Sequence, residues 1–183
     1  MLYNRVMKMK IATICATFLI AAIFAPIASA TKDNAAPVEI SDYQAGLISQ
    51  NCSSIKLQLQ QLQRADAKSR EHIGAQYHAL SSNLMLNLSI RLAKNDLASA
   101  EVSAEQASFT KEHKQFKENY INYSQSFDKL MAINCKDNPQ DFYARLKDTQ
   151  AKRAEVDKSV ERLNAIIKDH RETVKKIQSG LSK

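Results

Sequence analysis

Turn formers are scarce in this chain: three glycines and three prolines in 183 residues, with no tryptophan and three cysteines. From position 41 onward the only residues that readily break a helix are Gly46, Gly74, Gly180 and Pro139. That leaves few places for tight hairpins, and no alternating run rich in Val, Ile and Thr marks a strand. The motifs of common chemistry are missing as well. There is no His-Glu-x-x-His, no glycine-rich phosphate loop and no Gly-x-Ser-x-Gly elbow. Four histidines follow the N-terminal region, His72, His78, His113 and His170, and none has a glutamate three residues before it, as a helical di-metal site requires. We therefore expect no enzyme, no cofactor and no metal.

What is present is helical periodicity. Phe142, Leu146, Thr149, Arg153, Val156, Val160, Leu163, Ile167, His170, Val174, Ile177 and Leu181 follow one another at intervals of four and three. This is a heptad seam. Asn138-Pro139-Gln140-Asp141 supplies its start, with proline at the first helical position and an acid near the positive end of the helix dipole. Upstream, Phe109, His113, Phe116, Tyr120, Tyr123, Phe127 and Leu130 repeat the spacing; at that spacing they are core residues, not a ligand-stacking stripe. An earlier seam runs through Cys52, Ile55, Leu59 and Leu62 and resumes with Ile73, Tyr77, Leu80, Leu84, Leu88 and Leu92.

The N-terminus reads as an export signal. Arg5, Lys8 and Lys10 precede an uncharged apolar stretch from Ile11 to Phe24, and Ala28-Ser29-Ala30 follows Pro26 as a small-x-small cleavage site. Residues 1–30 are expected to leave as a signal peptide, with cleavage after Ala30. The competing reading is an uncleaved anchor, since about twenty apolar residues span a bilayer; Pro26 and the small residues after it weaken such a helix. Residues 31–40, with Pro37 and no periodicity, read as a flexible leader, and 41–183 as a single helical body with helices over about 42–94, 96–135 and 139–181. Losing the signal removes three positive charges and no negative ones, lowering the formal charge from +7 to +4. The remaining bases alternate with acids, as in Lys152-Arg153-Ala154-Glu155-Val156-Asp157-Lys158, which describes a solvated helix surface and not a nucleic-acid reader. Membrane contact follows only if the signal segment stays attached.

Cys15 lies in the apolar stretch and leaves with it, so the exported chain keeps Cys52 and Cys135. In an oxidising compartment such a pair tends to close, and with no Cys or His at ligand spacing it makes a poor zinc site. The layout supports a disulfide independently. Lys94-Asn95-Asp96 reads as a turn, with Asn95 left-handed and Asp96 capping the next helix. Cys52 stands 43 positions before Asn95 and Cys135 40 positions after it, so two straight antiparallel helices bring the sulfurs together. The fold expected is all-α, an elongated antiparallel three-helix bundle tied by one disulfide and roughly 60 Å long. In that register Arg153, at a seam position, falls level with Asp66, and the two are expected to form a buried polar pair that fixes helix register. The alternative is that Arg153 lays its stem along the seam and keeps its head in water. The middle of the first helix, Arg64 to Ala75, is poor in large apolar side chains and lies opposite the aromatics of Phe109 to Tyr123. A break near Gly74 or Ser81-Ser82-Asn83, giving four shorter helices, is the alternative layout. Sequons begin at Asn51, Asn87 and Asn122, and they matter only in a eukaryotic secretory pathway.

The string Asn51-Cys52-Ser53-Ser54-Ile55-Lys56, then Asp66-Ala67, Arg70, Gly74, Tyr77, Leu84-Met85, Arg91 and Asn95, and later Asn134-Cys135, Pro139 and Phe142-Tyr143, resembles a family of exported helical proteins of Saccharibacteria-type candidate-phylum bacteria. Lys68 and Ser69 depart from that pattern, where the family carries a more apolar pair. The resemblance implies export and a helical fold and adds no activity. Together these readings predict a non-enzymatic envelope protein, periplasmic, cell-surface or extracellular, that acts as a spacer or a protein-interaction module and has a protein partner. A periplasmic holdase chaperone is the second expectation, although the coiled-coil chaperones it would resemble carry a strand-built body. A membrane-anchored envelope protein is the third.

Overall fold

A computed structural model describes residues 39–97 and 100–181, and among these every regular element is helical. We label them α1 (Asp42–Gln50), α2 (Cys52–Ala79), α3 (Leu86–Lys94), α4 (Ala100–Ala132) and α5 (Pro139–Leu181), with a π-helical turn, Leu80–Met85, joining α2 to α3. Residues 1–38, which hold the expected signal peptide, its cleavage site after Ala30 and most of the leader, lie outside the described residues.

Pairings fix the arrangement. Lys56 Nζ donates to the Met131 carbonyl (2.9 Å), Gln63 Nε2 to Asp128 (3.0 Å) and Ser81 meets Thr110 (3.3 Å), so α2 and α4 run antiparallel. Thr173 meets Glu105 and Arg162 meets Glu112, so α4 and α5 are antiparallel too. Cys52 and Cys135 form a disulfide with Cα atoms 5.5 Å apart, tying the start of α2 to the segment after α4. The all-helical reading and the cysteine pairing thus hold.

The apolar interior comes in two clusters. Leu130, Cys135 and Phe142 are buried at the tied end, with Ile48, Ile55, Leu59 and Leu146 packed around them. Farther along, Tyr77, Met85, Phe109, Phe116 and Leu163 form the second, with Ile73, Leu80, Val156 and Ile167 against it. Tyr77 stands edge-on to both Phe109 and Phe116, ring centroids 5.8 Å away in each case, a preferred geometry for aromatic pairs.

Four local expectations need correction. The long first helix is not one straight rod: Asn51 (φ −101°, ψ 12°) offsets α1 from α2, and the π turn sits at the Ser81-Ser82-Asn83 stretch. There the chain widens without breaking, and it passes Gly74 unbroken. The cause lies in the seam itself, which steps by four from Leu80 to Leu84 to Leu88 and so drifts around an α-helix. One extra residue in the π turn resets it. Met85 takes the interior place, 0 % exposed, and Leu84, expected in the seam, is 62 % exposed. The Ser82 hydroxyl donates at 2.7 Å to the carbonyl of His78, in the last turn of α2.

The second correction concerns the turn after α3. Asp96, not Asn95, is left-handed, with φ 53°. Its N–H reaches the Ala93 carbonyl and that of Leu97 the Leu92 carbonyl, the two bonds of a Schellman motif. Asp96 thus ends α3, and α4 begins later, at Ala100. Third, the leader is anchored at its last residue. Ile40 is buried, and the Gln140 side-chain amide both accepts from its N–H (3.2 Å) and donates to its carbonyl (2.9 Å). Ser41 and Gln44 close a capping box immediately after it, starting α1. Fourth, α4 ends at Ala132, and a turn runs on to the disulfide.

Candidate functional site

Between the two apolar clusters the three long helices meet through polar side chains. Arg153 on α5 reaches across to Asp66 on α2, its Nε 2.8 Å from Oδ2 and its Nη2 3.0 Å from Oδ1. The fork geometry suits a guanidinium, whose planar N–H groups match a carboxylate. Tyr123 on α4 donates its hydroxyl to the same Oδ2 at 2.7 Å. One carboxylate therefore gathers all three helices at one level. The pair is not sealed from water, however. The Arg153 side chain is 43 % exposed and that of Asp66 18 %, which corrects the expectation of a buried pair and joins both earlier readings: the stem follows the seam, and the head finds its acid at the bundle edge.

The charges set the protonation. Burial first, then the hydrogen bond to Asp66 and that group's charge, push the Tyr123 hydroxyl well above the usual phenol range. The hydrogen bond to Asp66 likewise raises Arg153 above its ordinary value. Tyr123 is consequently a fixed donor and not a base. The arrangement holds one side chain from each of the three helices in place.

Beside this junction lies a half-open cleft of about 110 Å³. Phe116, Tyr120 and Tyr123 line it from α4, Ile73 and Ser69 from α2, Val156 and Val160 from α5. Arg70 and Asp157 also line it, and the Arg70 guanidinium lies 4.5 Å from the centre of the Tyr120 ring, within cation–π range. The cleft exists because α2 is poor in large side chains here, so the aromatics of α4 do not fill all the space opposite.

Other polar groups continue along α4 and α5. Ser126 donates to Asp148 (2.8 Å) and meets Thr149 (2.9 Å). Burial alone would raise the Asp148 carboxyl, but hydrogen bonds from Ser126, Lys152 and Arg145 outweigh it and hold the group below its usual range. Asn119 donates to the fully buried Ser159 at 2.9 Å. His170 Nδ1 stands 2.7 Å from Glu105, whose other oxygen accepts from Thr173 at 2.6 Å. Of the remaining histidines, His72 meets Gln76 on the surface, His78 is exposed, and His113 is buried among Tyr77, Phe109 and Phe116 with its Nε2 unpartnered. Among the described residues no group of histidines, cysteines and acids is placed to hold a metal ion.

The sequence reading named Asp66 and Arg153 but missed Tyr123 as their third partner, Arg70 over Tyr120, and the small buried polar residues Ser126, Ser159 and Thr173. Tyr123 had a signal, since its seam position falls level with Asp66 in the hairpin register. Ser126, Ser159 and Thr173 each stand one position before a seam residue, where neither spacing nor polarity signals burial. Comparison with protein families, with curated proteins and with solved structures finds no match for this chain.

Proposed function

We propose that this is an exported, non-enzymatic protein of the cell envelope: an elongated antiparallel three-helix bundle, preceded by a signal peptide, that works as a spacer or protein-interaction module. The observation that carries the reading is the Cys52–Cys135 disulfide, which persists in an oxidising compartment and is rare in a reducing one. It agrees with the basic, apolar and small-residue order of the first thirty residues. The polar contacts between helices add support, because they hold three rods in register and leave a cleft open at their surface. Kinship with the exported helical proteins of Saccharibacteria-type bacteria belongs to the same proposal.

Two measurements test it. N-terminal sequencing of the protein recovered from its native envelope should begin at Thr31, and an intact Met1 would favour the membrane-anchored reading. A cross-linking pull-down from that envelope should return one reproducible protein partner; an empty result across several cross-linkers reduces the role to a spacer. A second reading, a holdase chaperone, is favoured by the exposed Leu84, Leu86 and Ile90 near the α3 turn. Failure to slow aggregation of an unfolded outer-membrane protein would exclude it.

A further inference from the structure

The cleft beside the Asp66–Arg153 pair has a definite shape and an unbalanced set of hydrogen-bonding groups. It opens where α2 presents Asp66, Ser69 and Arg70 and no large apolar side chain, and the space they leave is lined by Ile73 of the same helix, by Phe116 and Tyr120 of α4 and by Val156 and Val160 of α5. An apolar cavity of about 150 Å³ holds a benzene ring. A cleft of about 110 Å³, open on one side, therefore takes one ring with its substituent directed to the rim.

The rim selects that substituent. The Arg70 guanidinium lies over the Tyr120 ring, 4.5 Å from its centre, and no ion pair joins it to a carboxylate among the described residues. Arg153 spends its Nε and Nη2 on Asp66 and keeps Nη1 in hand. Against these stand two carboxylates: Asp66, which already accepts three bonds, and Asp157, whose charge already acts on Arg153. The surplus is of donors on guanidinium groups, which match a carboxylate best.

We propose that this cleft binds a small aromatic monocarboxylate, with its ring against Phe116 and Tyr120 and its carboxylate on Arg70 and Arg153. The ring adds apolar contact where the helices leave a gap, and the acid occupies N–H groups that otherwise face water. The inference deepens the reading of the protein as a binding module, but its test uses no protein partner, so either can fail alone.

The experiment is titration of the purified, oxidised protein with phenylacetate, followed by amide chemical shifts. Saturable shifts should cluster at Ser69, Arg70, Tyr120 and Val156 with a dissociation constant in the millimolar range, as expected for so small a ligand. Acetate should give no saturation, and benzyl alcohol should bind about ten-fold more weakly than phenylacetate, the loss of one charge-assisted bond. Arg70→Gln should weaken phenylacetate about ten-fold and leave benzyl alcohol unchanged. Ser69→Phe, which places a ring of its own in the gap, should abolish both; if that variant does not fold, the Arg70→Gln comparison decides. Shifts that fail to saturate, that scatter along the rods, or that are equal for the acid and the alcohol overturn the proposal.

Discussion

At the tied end Leu130, Cys135 and Phe142 are buried together, and the Cys52–Cys135 bond joins α2 to the turn between α4 and α5. A few turns farther along, the same three helices meet through Asp66, Tyr123 and Arg153, with a cleft beside them and one partner nearly half exposed. The tied end gains from apolar burial and a shortened unfolded chain, and its covalent bond holds Cys52 beside Cys135. The middle has no such bond, and its forked hydrogen bonds exist in one register only. The comparison separates an end aligned by a covalent tie from a middle aligned by polar contacts.

The largest expected effect tests the tied end. Reducing the disulfide, or replacing Cys52→Ala together with Cys135→Ala, should lower the unfolding free energy by about 4 to 5 kcal/mol on the chain-entropy model for a loop of this length. A lower urea midpoint reads that loss. Hydrogen exchange should speed up most over residues 52–62 and 127–142 and least around Tyr77, Phe109 and Phe116. A uniform acceleration along all three helices would erase the contrast between the regions.

Next in size is the junction. Asp66→Ala leaves the Tyr123 hydroxyl, which is almost fully buried, without its acceptor and should cost about 2 to 3 kcal/mol. Most of that belongs to Tyr123, because an ion pair as exposed as Arg153 contributes about 1 kcal/mol or less. A double-mutant cycle between Asp66→Ala and Arg153→Ala should therefore give a small coupling, and one with Tyr123→Phe a larger one. If the junction sets register, Asp66→Leu with Tyr123→Phe and Arg153→Met, which leaves no buried hydroxyl without its acceptor, should keep most of the stability while broadening the amide spectrum of α2. A sharp spectrum in that triple variant would show that packing alone fixes the alignment.

How much of this was legible in the sequence depended on whether a residue's role was periodic or particular. The helical class, the meeting of Cys52 with Cys135 and the level of Asp66 with Arg153 all followed from counting along heptads, because a straight helix rises by a constant amount per residue. Leu84 defeated the count, since a seam that steps by four must be reset somewhere and nothing in Leu80 to Met85 announces a π turn except the Ser-Ser-Asn that had suggested a break. The anchoring of Ile40 by Gln140 is a contact across a hundred positions that no local pattern encodes. The cleft was half visible. The scarcity of bulk on α2 opposite the aromatics of α4 was plain, whereas whether the aromatics would close the gap depended on rotamers, and Tyr120 lies under Arg70 instead.

The third effect lies in the apolar cluster that the disulfide does not reach. His113 is walled by Tyr77, Phe109 and Phe116 with Nε2 unpartnered, and burial, then the charges of Lys117 and His78, push its pKa below the ordinary 6.5. The unfolded chain protonates this residue as pH falls through about 6.5, while the folded chain resists until a lower pH. Above that window the group costs nothing by titration. Stability should fall as pH drops through it and level off below the folded value. His113→Leu should add about 1 to 2 kcal/mol at neutral pH by removing the unpartnered nitrogen, and it should flatten the acid-side loss of melting temperature. An unchanged pH profile in the variant would move the acid sensitivity to another group.

The smallest effect sits at the turn farthest from the disulfide. Asp96 adopts φ 53°, a conformation that costs most side chains about 1 kcal/mol or more and glycine nothing, and its carboxylate stands at the negative end of α3. Both terms have the same sign, so Asp96→Gly should stabilise the protein by about 0.5 to 1 kcal/mol, with Asp96→Asn between the two, since it removes the charge and keeps the strain. Urea midpoints of the three proteins should rise in the order Asp, Asn, Gly. An equal rise for Asn and Gly would assign the whole cost to charge. No rise for either would mean that the turn is held by its two backbone bonds and by Leu92 so firmly that the residue at its corner is immaterial, and the untied end of the molecule would then owe its closure to packing as fully as the tied end does.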